Sequence, residues 1–152
     1  MKQELIIHTN SEQETIAAGF QFAGELKPDN IVLFYGELGA GKTEFIKGIC
    51  SFFEVDALVT SPTFTIINQY YGNFDGKEIP IFHIDLYRIK SKKELDEIGY
   101  NEFIYTPDSI KLIEWAEKSY NEYTDDSYII KIQHDEEIED RRVITISKPI
   151  MS

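Results

Sequence analysis

Eight residues, Gly36-Glu37-Leu38-Gly39-Ala40-Gly41-Lys42-Thr43, stand between two segments of opposite periodicity. Before them Ile31 to Tyr35 (IVLFY) is an unbroken apolar run, the pattern of a strand buried on both faces of a parallel sheet. After them Lys42 to Phe53 has Phe45, Ile49, Phe52 and Phe53 at i, i+4, i+7 and i+8, one face of a helix. The eight residues fit the pattern G-x-x-x-x-G-K-[ST]. Glycines let such a loop turn sharply and bring successive N–H groups against phosphate oxygens with no Cβ in the way. Lys42 adds a positive charge for the β- and γ-phosphates, Thr43 a hydroxyl for magnesium, and the helix presents its N-terminus to the anion. A strand, a phosphate loop and a helix in this order make an α/β fold of the P-loop NTPase type.

The remaining segments extend that fold. Leu5 to His8 is a short strand. Ser11 and Glu14 form a capping box that opens a helix to about Leu26, with Ile16, Phe20 and Ala23 as its buried stripe. Thr65 to Tyr71 and Ile79 to Ile84 are two strands, antiparallel, joined by the loop Gly72 to Lys77. Ser91 caps a helix to Ile98 with Glu94 as box partner, and Ile110 to Ile113 is a further apolar strand. Tyr128 to Gln133 and Arg142 to Ser147, around the acidic loop His134 to Asp140, form a closing β-hairpin. At 152 residues this is one domain over 1–152, a mixed parallel and antiparallel sheet flanked by helices, whose strand order the pattern does not give.

Charge then limits the partners. The chain has 15 basic and 27 acidic residues, a net charge of −12. Sequence-independent affinity for nucleic acid comes from Lys and Arg displacing counterions, so DNA is not expected as a ligand and any RNA must be held by another protein. The single Cys50 excludes an internal disulfide and suits a reducing cytoplasm. The first residues have no secretion-signal pattern, and no apolar run is long enough to cross a bilayer, so a cytoplasmic protein away from the membrane is expected.

A phosphate loop does not choose the base. The N/T-K-x-D motif of guanine-reading proteins is absent from the sequence, which favours ATP. P-loop proteins place an acidic residue at a neighbouring strand end to complete the magnesium site. Asp85, after Ile79 to Ile84, and Glu114, after Lys111 to Ile113, both qualify. Either carboxylate can bind the metal, hold a metal-bound water or orient the attacking water. Trp115 belongs beside the nucleotide chiefly as packing, and His83 is a satisfied core or rim residue rather than a catalyst. Pro62 holds Ser61 extended, while Thr63 and Thr65 offer hydroxyls to phosphate or water. Arg88, Lys90, Lys92 and Lys93 form the one dense basic run, a solvated helix face or a docking patch for an acidic partner or tRNA.

Taken together, Gly36 to Thr43, Thr60-Ser61-Pro62-Thr63-Phe64-Thr65, His83-Ile84-Asp85-Leu86-Tyr87-Arg88, Glu94 to Gly99 and Leu112-Ile113-Glu114-Trp115 resemble the TsaE (YjeE) family. That family is the ATPase component of bacterial tRNA threonylcarbamoyladenosine synthesis. The likeness spans about Ser11 to Trp115. Ala116 stands where the family often has Pro, and Glu44 where it often has Thr. The resemblance implies that Gly36, Glu37, Leu38, Gly39, Ala40, Gly41, Lys42, Thr43 and Glu44 bind ATP, with Trp115 nearby and Ser11 and Thr15 approaching the adenine. It implies Lys42, Asp85 and Glu114 as catalytic residues, Asp85 being the Walker-B-like acid. It further implies Thr43, Glu114 and Asp85 as the magnesium site, and Ser61, Pro62, Thr63 and Phe64 as a nucleotide-sensitive switch. It also implies TsaD and TsaB as partners, tRNA reached only through them, and ATP hydrolysis that is slow until a partner completes the site.

Two other functions use the same loop. A small P-loop kinase needs several cations to clamp a second phosphate substrate, and of Arg88, Arg141 and Arg142 only Arg88 lies near the motifs. A nucleotide-gated adaptor needs ATP binding without turnover, and nothing in the sequence separates it from an ATPase.

Overall fold

In the computed structural model, which describes residues 2–37, 40–62, 66–119 and 126–149, the elements follow in the order β1 (Lys2–Thr9), α1 (Glu12–Ala23), β2 (Ile31–Tyr35), α2 (Lys42–Phe52), β3 (Ile67–Phe74) and β4 (Lys77–Asp85). Then come α3 (Lys92–Glu97), α4 (Tyr100–Ile104), β5 (Ile110–Glu114), a 3-10 turn (Ala116–Ser119), β6 (Tyr128–His134) and β7 (Arg142–Pro149). The strands make one sheet in the order β1-β7-β6-β2-β5-β4-β3. β2 pairs in parallel with β5 and β6, and β5 with β4. The outer pairs β3–β4, β6–β7 and β1–β7 are antiparallel. The expected mixed sheet and closing hairpin are both present.

Alternation along the central strands supplies two cores. Val32 and Phe34 face α1 and α2 with Phe22, Phe45 and Ile49, whereas Leu33 faces α3 and α4 with Ile84, Leu95 and Tyr100. β2 and β5 are buried on both sides, which explains why they are continuous apolar runs.

Both helix starts expected from Ser-x-x-Glu are formed. Ser11 Oγ accepts from Glu14 N–H at 3.1 Å and Ser91 Oγ from Glu94 N–H at 3.2 Å. In each case the glutamate carboxylate reaches one residue beyond the cap, to the N–H of Asn10 and of Lys90.

Two local expectations are corrected and one element is added. α1 ends at Ala23 and buries Thr15, Ala18, Gly19, Phe22 and Ala23, while Phe20 is exposed and packs edge-on against Phe52. The cause is a backbone-to-backbone crossing. A Cβ at Gly19 would lie 2.0 Å from the Phe45 carbonyl oxygen, and one at Gly48 would lie 2.0 Å from that of Ile16. Small residues therefore face α2, and the larger apolar ones flank the contact. Second, Gly72 to Lys77 is mostly strand: Phe74 pairs with Lys77, and the turn is Asp75-Gly76 alone, with φ of 50° and 81°. Two successive positive φ values are what a two-residue hairpin in a right-twisted ribbon requires. Third, a short α4 follows α3, separated by Gly99 at φ 76°.

Candidate functional site

The turn into α2 is built from close approach. Gly36 has φ 149°, and a Cβ there would lie 2.4 Å from the Ile132 carbonyl oxygen. Gly41 has φ 109° and precedes α2 as its N-cap without any side-chain cap. The first N–H groups of α2 are thus left to a ligand or to water.

Lys42 is 5% exposed. Its Nζ donates to the Gly36 carbonyl at 2.8 Å, stands 3.9 Å from Glu114 Oε1 and lies 4.6 Å from the Trp115 ring centroid. Burial pushes its pKa below the ordinary lysine value, opposed by the charges of Glu114, Asp85 and Glu117.

The two strand-end carboxylates are cross-strand partners, because β4 and β5 pair in parallel with Asp85 opposite Glu114. Both are 3% exposed. Glu114 Oε2 is 2.7 Å from Nε2 of the fully buried His83, whose Nδ1 has no hydrogen-bond partner among the described residues. A carboxylate only accepts, so His83 Nε2 donates this hydrogen bond. His83 is therefore more than a core residue: it fixes one oxygen of Glu114 and leaves the other toward Lys42. Asp85 Oδ1 accepts from Tyr87 N–H at 2.9 Å, and Oδ2 lies 3.4 Å from Ser61 Oγ. Burial raises the Asp85 pKa, opposed by the Tyr87 N–H; Glu114 raises it further, while Lys42 and His83 lower it.

Strain gathers on the same side. Ile66, next to residues 63–65, has φ 69°, and Trp115, directly after Glu114, has φ 58°. Left-handed geometry at such residues costs about 1–3 kcal/mol each. The Ile66 carbonyl accepts from Asp85 N–H, and the Trp115 ring packs against Tyr87 at 5.0 Å.

These groups open onto a cavity of about 500 Å³. Gly41, Lys42, Thr43 and Glu44 line it from the loop and α2; Ser61, Asp85 and Glu114 close one side. Ser11 and Thr15 line it from α1, where the Thr15 hydroxyl also meets that of Thr9 at 2.7 Å. Gly36, Glu37 and Ala40 border a smaller recess of about 160 Å³ behind the loop. Trp115 does not line the main cavity but backs Lys42, and Pro62 is buried next to Ser61. Leu38, Gly39, Thr63, Phe64 and Thr65 lie outside the described residues.

Three further residues line the cavity: Glu12, Asp140 and Arg142. The expectation that Arg88 is the arginine near the motifs is corrected, because Arg88 is exposed outside the cavity lining and Arg142 stands within it. No local pattern marks Arg142; it arrives through pairing of β7 with β1 and β6, opposite Thr9 and His134.

The lining is acidic. Glu12, Glu44, Asp85, Glu114 and Asp140 surround two cations, Lys42 and Arg142. A polyphosphate carrying a divalent cation is repelled less by this lining than a bare one. The donors Thr43, Asp85 and Glu114 are all oxygens, which suits a hard cation. Among the described residues no three His, Cys, Asp or Glu side chains form a cage of their own.

Residues 9–144 match the family profile described as threonylcarbamoyl adenosine biosynthesis protein TsaE, a span holding every lining residue of the cavity. The chain is 41% identical over 109 residues to a tRNA threonylcarbamoyladenosine biosynthesis protein TsaE of Rickettsia bellii, covering 71% of this chain and 72% of that one. It is 38% identical over 116 residues to the protein of the same name from Bacillus subtilis, covering 76% and 68%. The crystal structure of Bacillus subtilis YdiB superposes with a TM-score of 0.77 at 29% identity, over 99% of this chain and 88% of that one.

Proposed function

The chain belongs to the TsaE family, and from that membership we propose that it is an ATP-binding and ATP-hydrolysing subunit required for threonylcarbamoyl modification of the adenosine beside the anticodon in tRNA. It acts as one domain over residues 1–152, in the cytoplasm, with TsaD and TsaB. Those partners hold the tRNA, and ATP turnover drives or resets the complex without entering the transferred group. The observation that carries this reading is the buried Lys42 ammonium, held by Gly36 and Glu114 at the open start of α2 and facing one cavity with Thr43 and Asp85.

The residues divide the work as follows. The α2 N-terminus and Lys42 bind the β- and γ-phosphates, with Glu44 and the rest of Gly36 to Thr43 shaping the loop. Thr43, Glu114 and Asp85 would hold magnesium, which when bound neutralises charge on the phosphate oxygens. His83 keeps Glu114 oriented through Oε2. Asp85 orients the attacking water, and Ser61, beside its Oδ2, couples residues 61–64 to that carboxylate. Ser11 and Thr15 face the nucleoside end. The basal rate is low, because the lining offers only two cations against five acids for a transition state that gathers charge. The same shortage disfavours a kinase, which would need further cations for a second phosphate substrate.

The test is ATP hydrolysis and tRNA modification measured together, with purified TsaB and TsaD counterparts, with and without this protein. Stimulated hydrolysis is expected only in the full mixture, with Asp85→Asn or Glu114→Gln binding ATP but not turning it over. Full hydrolysis by both variants removes the carboxylate assignment. Modification that depends on ATP binding without turnover moves the protein to the adaptor class, and phosphorylated acceptor formed in step with ADP moves it to the kinases.

A further inference from the structure

We propose that Arg142, carried into the cavity by the closing hairpin, is a second cationic contact for the polyphosphate, so that the hairpin forms part of the nucleotide site. This rests on the ATP-binding reading above. The stem of Arg142 packs over the start of α2: its Cγ lies 3.8 Å from where a Cβ on Gly41 would stand, next to Thr15 Cγ2 at 3.6 Å. Lys42 is held by Gly36, Glu114 and Trp115. Both cations line the same cavity.

The chemistry of the pair differs. Lys42 already faces a carboxylate, whereas the only side-chain hydrogen bond of Arg142 among the described residues goes from Nη1 to the Arg141 carbonyl at 3.2 Å, and it forms no ion pair there. A guanidinium has five N–H donors in a planar fork that matches phosphate oxygens. In an acidic lining it is the cation besides Lys42 that can meet an anion.

The hairpin loop is shaped to aim it. Asp135 Oδ1 accepts from Glu137 N–H and Ile138 N–H at 2.8 and 3.0 Å, and Asp135 N–H donates to the Arg141 carbonyl. Arg141, one residue earlier, turns instead to Asp135, with Nη1 3.9 Å from Oδ2. Adjacent residues at a strand start point to opposite sides, so one arginine braces the loop and the other enters the cavity. Arg142 also lies opposite Thr9, whose hydroxyl meets that of Thr15, which joins β1, α1 and β7 at the mouth.

The experiment is calorimetric titration of the full chain with ATP and with inorganic tripolyphosphate, both with magnesium. Arg142→Gln is expected to weaken both ligands by about tenfold or more, the scale of a charge-assisted contact. Arg142→Lys keeps the stem and the charge and should recover part of the loss. Lys131→Gln, which removes an exposed charge on β6 outside the cavity lining, should stay within about twofold of the parent. The proposal is overturned if Arg142→Gln and Arg142→Lys both bind like the parent, if only ATP and not tripolyphosphate is affected, or if Lys131→Gln loses as much. If the parent and Lys42→Ala alike take up no ATP, the nucleotide-binding reading itself has failed. If the parent binds, Lys42→Ala does not, and Arg142→Gln is unaffected, only the role of Arg142 has failed.

Discussion

Replacing Gly48 by alanine adds one methyl group at the crossing of α1 and α2, and the structure sets its cost. The new Cβ would lie 2.0 Å from the Ile16 carbonyl oxygen and 2.7 Å from Phe20 N. Both are backbone atoms, so no rotamer change relieves the contact. To reach ordinary van der Waals distance the helices must separate locally by about 1.4 Å, in an interior with little slack. Overpacking of this kind costs about 1–3 kcal/mol, and an unyielding backbone belongs at the upper end. The better helix propensity of alanine returns about 1 kcal/mol. The net loss of about 2 kcal/mol should lower Tm by about 4–8 °C in a chain of this size. The consequence reaches the site, because α2 begins with Lys42 and Thr43 while α1 carries Ser11 and Thr15 at its start. A displacement of about 1 Å between such groups can lower a rate by about 10²-fold. The assay is thermal unfolding by circular dichroism, followed by ATP titration and stimulated hydrolysis. Gly24→Ala is the control: φ there is −59° and the nearest atom stands at an ordinary 3.4 Å, so Tm should hold or rise slightly. A Gly48→Ala protein that melts at or above the parent temperature would refute the close-crossing argument.

Two further predictions concern the carboxylates. His83→Leu leaves Glu114 Oε2 buried without its donor and should lower stimulated hydrolysis by about 10–100-fold, with a raised magnesium requirement. His83→Gln, which retains an N–H donor, should keep more activity, and equal activity in the two variants would remove the orienting role. For Asp85, burial raises the folded-state pKa, so the fold favours the protonated form. That contribution is complete below the ordinary carboxylate value and is lost as pH rises through the raised one. Asp85→Asn should therefore stabilise the nucleotide-free protein at neutral pH by about 1 kcal/mol, or about 2–4 °C in Tm, with the gain fading as pH falls through the raised pKa and gone below the ordinary carboxylate value. A neutral-pH Tm at or below that of the parent contradicts this sign.

Features encoded within a few residues were legible in the sequence. The glycine spacing before Lys42, the Ser-x-x-Glu caps at Ser11 and Ser91, and the doubly buried runs of β2 and β5 each state their geometry locally. Asp85 and Glu114 could be found as strand ends, although their facing each other depends on β4 pairing with β5. What escaped notice came from long-range pairing. Arg142 and Asp140 reach the cavity only because β7 inserts between β1 and β6. Of the stripe expected on α1, Ala23 is buried but Phe20 is exposed, because the close crossing selects Ala18 and Gly19 where hydrophobicity alone points to Ile16 and Phe20. His83 could not be told from a core residue until its partner across the sheet was known. The Asp75-Gly76 turn was present in the sequence as a two-residue hairpin signal, hidden inside what resembled a longer polar loop.

The most direct test of the account is titration calorimetry of the intact protein with magnesium and ATP, beside Lys42→Ala. The parent should bind one ATP, and the variant, lacking the buried ammonium, should bind about 100-fold more weakly or not at all. Absence of ATP uptake by the parent, or equal affinity in the two proteins, would contradict it.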